Sequence, residues 1–351
     1  MRWLIGGLVA ALMTTTLAAP ASATMPSSPK HISAWRGVNW PVPDDNYQAG
    51  PLVLSGLSID DSYQQVYSFS TALVKRFNTV LGTNTVRLPV NPWSVGTTWW
   101  KSYKATIDAA TALGDKVILS YWDKQDSGDG KIDNLTKWNR MWNTLIRTYG
   151  KNKLVYFDLM NEPYGYSVQD WIGICAAWLQ RHPDVPRKRV VIAGGLFDMQ
   201  VSMVGDAPEL KGTLLEFHYY QYWTPGITTR EDWMSTFQDY VGKYASRTII
   251  GEVGTPMTGD PDPDYTQPDS GADPTFFDAI TSFARTNGMG IVYWPGYRTN
   301  EDGTANYKSL LVSPNPDKPK PGRLVVANQS ALDQLRWSWG YRKVSTSSTR
   351  G

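Results

Sequence analysis

The strongest constraint in this sequence is an alternation. Short apolar runs occupy 32–40, 85–90, 116–122, 189–193, 213–220, 248–253 and 291–294, and one more opens at Leu154. Between them lie segments with apolar residues at helical spacing: 62–79, 99–113, 135–149, 168–180, 231–244 and 276–286, with a last helix within 331–339. The stretch 199–210 is weakly patterned and predicts only a short helical turn. Strands that alternate with helices build parallel sheets, and eight such units predict an α/β protein of the closed (β/α)8, or TIM, barrel type. An open doubly wound sheet is the competitor. It should carry a GxGxxG turn after its first strand, and none is present. No linker or shift of composition divides 32–342, so this span is read as one domain.

The ends differ from the middle. Arg2, a mostly apolar segment over 3–17 and the small residues Ala21-Ser22-Ala23 form a secretory signal peptide over 1–23. A mobile leader (24–31) follows, and a Ser/Thr-rich flexible tail (343–351) closes the chain. Thr14 to Thr16 interrupt the leader's apolar run, so it makes a poor membrane anchor. Secretion is expected, with no membrane partner. Cys175 is the only cysteine, so no internal disulfide is available, and its apolar helical setting predicts a packed thiol. A net charge of +2 gives no electrostatic case for nucleic acid. The chain holds 16 Trp and 19 Tyr against 9 Phe, which favours a groove with stacking platforms over a merely Trp-rich core.

In a parallel barrel, chemistry sits at the C-terminal ends of the strands. Arg87 stands on the second strand, Asn161 and Glu162 end the fourth, His218 and Tyr220 the sixth, Glu252 the seventh and Trp294 the eighth. A turn with a solvated Glu is the plain alternative for Asn161-Glu162-Pro163. Five strands offering polar or aromatic groups to one rim argue for a site. Arg87 also needs a buried partner, and Asp158 or Glu216 would serve. Glu162 and Glu252 would converge over the barrel mouth. Carboxylates about 5 Å apart suit retaining glycoside hydrolysis, and about 6.5 Å or more suits inversion. One must be an ionised nucleophile and the other must start protonated.

The ordered set RGVNW (36–40), VRLPV (86–90), LMNEP (159–163), EFHYY (216–220), GEVG (251–254) and YW (293–294) resembles family 5 glycoside hydrolases, the cellulase family of the NEP-motif barrel clan. The resemblance covers nearly the whole mature chain. It implies Glu162 as general acid/base, Glu252 as nucleophile, Asn161 at the sugar 2-hydroxyl, and Arg87 and Tyr220 holding the nucleophile ionised. His218 would support that network and Trp294 would form a stacking floor. The family usually has a His at the end of the third strand, where this chain reads SYWDK, with Trp122 in that position and lining the cleft. The implied protein is a secreted, monomeric retaining glycosidase with no metal or organic cofactor. A β-linked polysaccharide or oligosaccharide is its substrate, best a β-1,4-glucan cut internally. A β-mannanase or an exo-acting β-glycosidase is the alternative within the family, and a non-hydrolytic carbohydrate-binding barrel the alternative outside it.

Weaker signals are the acidic stretches 126–133 and 260–273. The first fails the EF-hand spacing, and the second could wall the cleft. Trp93, Trp99 and Trp100 follow the second strand as platforms or packing. Asn134 and Asn328 head glycosylation sequons.

Overall fold

The computed structural model describes residues 33–43, 45–122, 128–315 and 319–342. The expected signal peptide, leader and tail, and part of the 126–133 stretch, lie outside the described residues. Eight parallel strands close into a barrel in sequence order: β1 (Arg36–Asn39), β2 (Thr85–Val90), β3 (Lys116–Tyr121), β4 (Val155–Asp158), β5 (Val190–Ala193), β6 (Leu214–His218), β7 (Thr248–Glu252) and β8 (Gly290–Tyr293). Closure comes from β1 pairing with β8, Val38 opposite Tyr293. Helices α1 (Tyr63–Arg76), α2 (Trp100–Ala112), α3 (Leu135–Tyr149), α4 (Val168–Arg181), α5 (Val201–Gly205), α6 (Arg230–Val241), α7 (Ala272–Thr286) and α8 (Gln329–Ser338) follow the strands. The (β/α)8 expectation holds.

Local chemistry sets the helix starts. Ser62 and Gln65 form a capping box at α1, and the side chains of Asn134, Ser167, Thr229 and Asn328 each accept a backbone N–H from the first turn of α3, α4, α6 and α8. The carboxamide of Asn328 is also buried and donates to Met257 O and Pro263 O, so this sequon is closed to glycosylation in the fold. The weak pattern over 199–210 resolves into the five residues of α5 and a 3-10 turn at Pro208–Leu210. The apolar pattern over 231–244 overshoots, because Gly242 at φ 58 ends α6 and a 3-10 segment follows.

The tryptophans correct one expectation. Trp40, Trp138, Trp142, Trp171, Trp178, Trp233 and Trp339 are fully buried. Several tie helices or loops to strand ends through their indole N–H, Trp171 to Ala193 O and Trp339 to Ile291 O among them. The indole suits this seam because it fills volume and still satisfies a carbonyl. Trp99 donates to Leu52 O, and Trp100 stacks on Tyr103, so both are packing. Trp93 lies under the Lys137 ammonium, beside a separate small hollow. Cys175 is buried, as expected.

The barrel interior is layered. Ile118, Val191, Ile249 and Val292 form an apolar plug with Trp35, Tyr156 and Leu214. Two residues further along these strands, on the same face, come Ser120, Asp158, Ala193, Glu216 and Gly251. Gly251 is required there. A Cβ at that position would lie 1.6 Å from Glu216 Oε1, so only glycine admits the carboxylate to the barrel axis.

Candidate active site

Arg87 fills the centre of the polar layer and organises what stands above it. Its side chain is 1 % exposed. Nη1 donates to Glu252 Oε1 at 2.6 Å and to Asn39 Oδ1 at 3.2 Å; Nη2 donates to Asp158 Oδ2 at 2.8 Å and Asn161 Oδ1 at 2.9 Å. Nε is ion-paired with Glu216 Oε1 at 3.0 Å. Both partners expected for Arg87 are therefore engaged, and Glu252 is a third. Three buried carboxyls around one guanidinium do not all ionise. Burial, together with the charge of Glu216, pushes Asp158 up to about 8, and it keeps a proton for Glu216. Burial would raise Glu216 as well, but Arg87, with His218 and Asp158, holds it down at about 2.

Above this layer, the ladder between β6 and β7 slips: Phe217 faces Ile250, whereas His218 faces Glu252. The irregularity sets His218 and Glu252 side by side at the mouth. Tyr220 donates its hydroxyl to Glu252 Oε2 at 2.9 Å, so each oxygen of this carboxylate has a donor. Burial pushes Glu252 above the ordinary glutamate value and Glu162 adds to this; His218, Arg87 and the Tyr220 hydroxyl pull it back.

Glu162 follows β4 with φ 47, a left-handed conformation uncommon for a non-glycine residue. Asp198 holds it there. Its Oδ2 accepts the Glu162 backbone N–H at 3.2 Å and lies 3.2 Å from His218 Nδ1, while its carbonyl accepts the His218 backbone N–H. His218 Nδ1 is also 3.1 Å from Glu162 Oε1. Burial disfavours an imidazolium, yet Asp198, Glu252, Glu162 and Glu216 together raise His218 well above its ordinary value. One oxygen of Glu162, one oxygen of Glu252 and a ring nitrogen of His218 all lie within 4.8 Å of one another.

The mouth opens into a cleft of about 270 Å³. Trp294 and Trp122 stack in it, with centroids 5.5 Å apart at 25°. Tyr47 meets Trp122 edge-on, and its hydroxyl accepts from Asn161 Nδ2 at 2.7 Å.

The sequence model of the family described as Cellulase (glycosyl hydrolase family 5) matches residues 46–298 of this chain. The chain belongs to glycosyl hydrolase family 5. It is therefore a glycoside hydrolase, built on the barrel expected for it. Solved structures agree on the fold. The catalytic domain of the major endoglucanase from Xanthomonas campestris pv. campestris is 17% identical, with a TM-score of 0.59 over 87% of this chain and 94% of that one. An endocellulase from Pyrococcus horikoshii is 14% identical, with a TM-score of 0.60 over 86% and 92%. A family 5 xyloglucanase from Paenibacillus pabuli is 14% identical, with a TM-score of 0.58 over 87% and 98%. No curated protein matches the chain.

All eight residues singled out in the sequence, Arg87, Trp122, Asn161, Glu162, His218, Tyr220, Glu252 and Trp294, gather at this family 5 mouth. Others were not foreseen. Tyr47 comes from the β1–α1 loop, Asp198 from the β5–α5 loop, and Tyr307 and Lys308 from the long segment between β8 and α8. The loop carrying Tyr47 has no periodic pattern, and nothing in the letters of 194–200 announces a buried Asp. The aromatic cluster in QYW (221–223) was the one readable hint for Tyr222 and Trp223, which also line the cleft. Among the described residues, two groups could offer three ligand atoms to a cation, Glu162–His218–Glu252 and Asp198–Glu216–His218, and in both the atoms already face Arg87, Tyr220 or one another. Among the described residues, the 260–273 stretch gathers no such group; its Asp262 and Asp264 cap local turns.

Proposed function

We propose that this family 5 enzyme hydrolyses a β-1,4-linked glucan with retention of anomeric configuration. Glu252 acts as nucleophile and Glu162 as acid/base. The observation that carries the reading is that one oxygen of Glu162 and one of Glu252 lie within 4.8 Å of each other, which favours the close pair of retention over the wider pair of inversion. In the first step Glu252 attacks the anomeric carbon from one face, while Glu162 gives its proton to the departing glycosidic oxygen. In the second, Glu162 takes a proton from water, which displaces Glu252 and releases the sugar. Arg87 and Tyr220 stabilise the Glu252 carboxylate before attack and as it leaves. Trp294 offers its face to the pyranose, and Asn161, fixed by Arg87, presents its amide at the 2-hydroxyl. Residues 1–23, with Arg2, the apolar segment and Ala21-Ser22-Ala23, support secretion of the enzyme.

The glucan preference draws support from the endoglucanase and endocellulase neighbours, the latter solved with cellotetraose. A panel of soluble glucans, mannans and xylans tests it, with wild type and Glu252→Gln side by side and the anomer of the first product read by NMR. A β-configured product from a glucan, absent with the variant, is expected. An α-configured product would overturn the double displacement, and release from mannan alone would overturn the substrate. Sugar binding without turnover on any polymer would favour a non-hydrolytic barrel.

A further inference from the structure

Lys308 is a charged group in the cleft that the reaction above does not use. It lies on the segment joining β8 to α8, and its ammonium sits 4.9 Å from the ring centre of Tyr220, 4.8 Å from that of Tyr222 and 5.5 Å from that of Tyr307. Tyr220 is the residue whose hydroxyl holds Glu252, so Lys308 stands one ring away from the reacting centre. Among the described residues the ammonium makes neither an ion pair nor a hydrogen bond, so its three N–H donors are unspent. The two outer rings face solvent, Tyr222 58% and Tyr307 52% exposed. Arg298, whose guanidinium lies 5.8 Å from the Trp294 ring centre, lines the same cleft. Asp45, Glu162 and Glu252 supply its negative charge.

We infer that Lys308, between the solvent-exposed side chains of Tyr222 and Tyr307, forms a subsite for an acidic sugar, the carboxylate of a uronosyl unit in the β-glycan pairing with the ammonium. The inference rests on the glycan-hydrolase reading above and names a substrate class within it. Tyrosine rings at the edge of a cleft suit the apolar side of any pyranose, and this part of the recognition is blind to charge. The ammonium is what discriminates. A carboxylate gives it a charge-assisted partner in a partly desolvated site, where a neutral hydroxyl returns less. The groups facing Lys308 fit this role. Burial pushes it down to about 8, Asp273 and Glu252 favour its charged form, and Arg298 disfavours it. An anionic ligand would relieve the burial cost.

The test uses a matched pair: a β-glucan oligosaccharide containing glucuronosyl units, and the same oligosaccharide after reduction of its carboxyls to primary alcohols. Binding of each to the full chain is measured by calorimetry, and kcat/KM is measured in parallel. At pH 6 the wild type should bind the acidic form roughly tenfold more tightly, the scale of one charge-assisted hydrogen bond. The preference should shrink with added salt and with pH rising past about 8, as Lys308 loses its proton. Lys308→Met should bring the ratio of the two affinities to about one, and Lys308→Arg should keep it. Equal affinity for the pair in the wild type, or a preference that survives Lys308→Met, overturns the subsite. A binding preference that persists without turnover of either form would overturn the hydrolytic substrate and leave the subsite standing.

Discussion

Glu252 Oε1 lies 2.6 Å from Nη1 of Arg87, the shortest of the contacts through which one guanidinium on β2 joins the strands β1, β4 and β7. Such a contact serves stability and, in the proposed reaction, also holds the nucleophile. Arg87→Met should destabilise the fold by about 3–5 kcal/mol, because it strands carboxylates that were paired in the interior. Denaturant unfolding would show it as a lowered midpoint. Arg87→Lys should recover little, since one ammonium cannot serve Glu252, Asp158 and Glu216 from the positions of a planar fork.

Stability should depend on pH through Asp158. Its carboxyl is raised to about 8 in the fold, above the ordinary aspartate value it regains on unfolding. Its contribution is therefore complete at low pH and is lost as pH rises toward and through about 8. Glu216, held at about 2, works in the opposite sense: its contribution is present above the ordinary glutamate value and is lost as pH falls through about 2. Asp158→Asn keeps the hydrogen-bond donor without the titration. It should flatten the loss on the alkaline side in thermal melts between pH 5 and about 8.5. A variant that loses stability as steeply as wild type over that range would assign the titration to another group.

Asp198→Ala should reduce kcat about 10–100-fold with a smaller effect on KM, because it frees the backbone of Glu162 and the ring of His218 without touching the cleft floor. The pH profile of kcat should shift as well, since Asp198 contributes to the charge on His218. Unchanged steady-state kinetics at all pH values would show that the left-handed turn holds Glu162, the proposed acid/base, without this carboxylate.

Gly251→Ala should fold poorly or not at all. A methyl placed 1.6 Å from Glu216 Oε1 must push that carboxylate off Arg87 or open the barrel, a cost of several kcal/mol. Combining it with Glu216→Ala should restore soluble protein, measured by expression yield and circular dichroism. Equal yields for the single variant and wild type would mean that the polar layer has slack.

The scaffold and the acid pair were legible because their signals are periodic or ordered. The boundaries of β2 and α3 coincide with the apolar patterns over 85–90 and 135–149, and LMNEP and GEVG place Glu162 and Glu252 at strand ends. What escaped sits on irregular backbone. Tyr47 and Asp198 act through loop geometry, and the positive φ of Glu162 and Leu196 leaves no trace in residue types that seldom adopt it. The tryptophans misled for a related reason. Their number is visible in the sequence, but a strand–helix seam and a cleft ask for the same amphipathic ring.

The wall that carries Arg298, Tyr307 and Lys308 belongs to one continuous stretch of chain between β8 and α8. It is folded on itself by Leu310 N to Pro295 O, Leu311 N to Gly296 O and Ala327 N to Leu310 O, and tied to its surroundings by Met257 N to Tyr307 O and the Tyr293 hydroxyl to Lys308 O. Leu310, Leu311 and Leu324 from the same stretch are buried in the main core. The stretch is thus a wall with a fixed foot: its leucines bind it to the core, and variation that spares them falls on the residues facing the cleft, such as Tyr307 and Lys308.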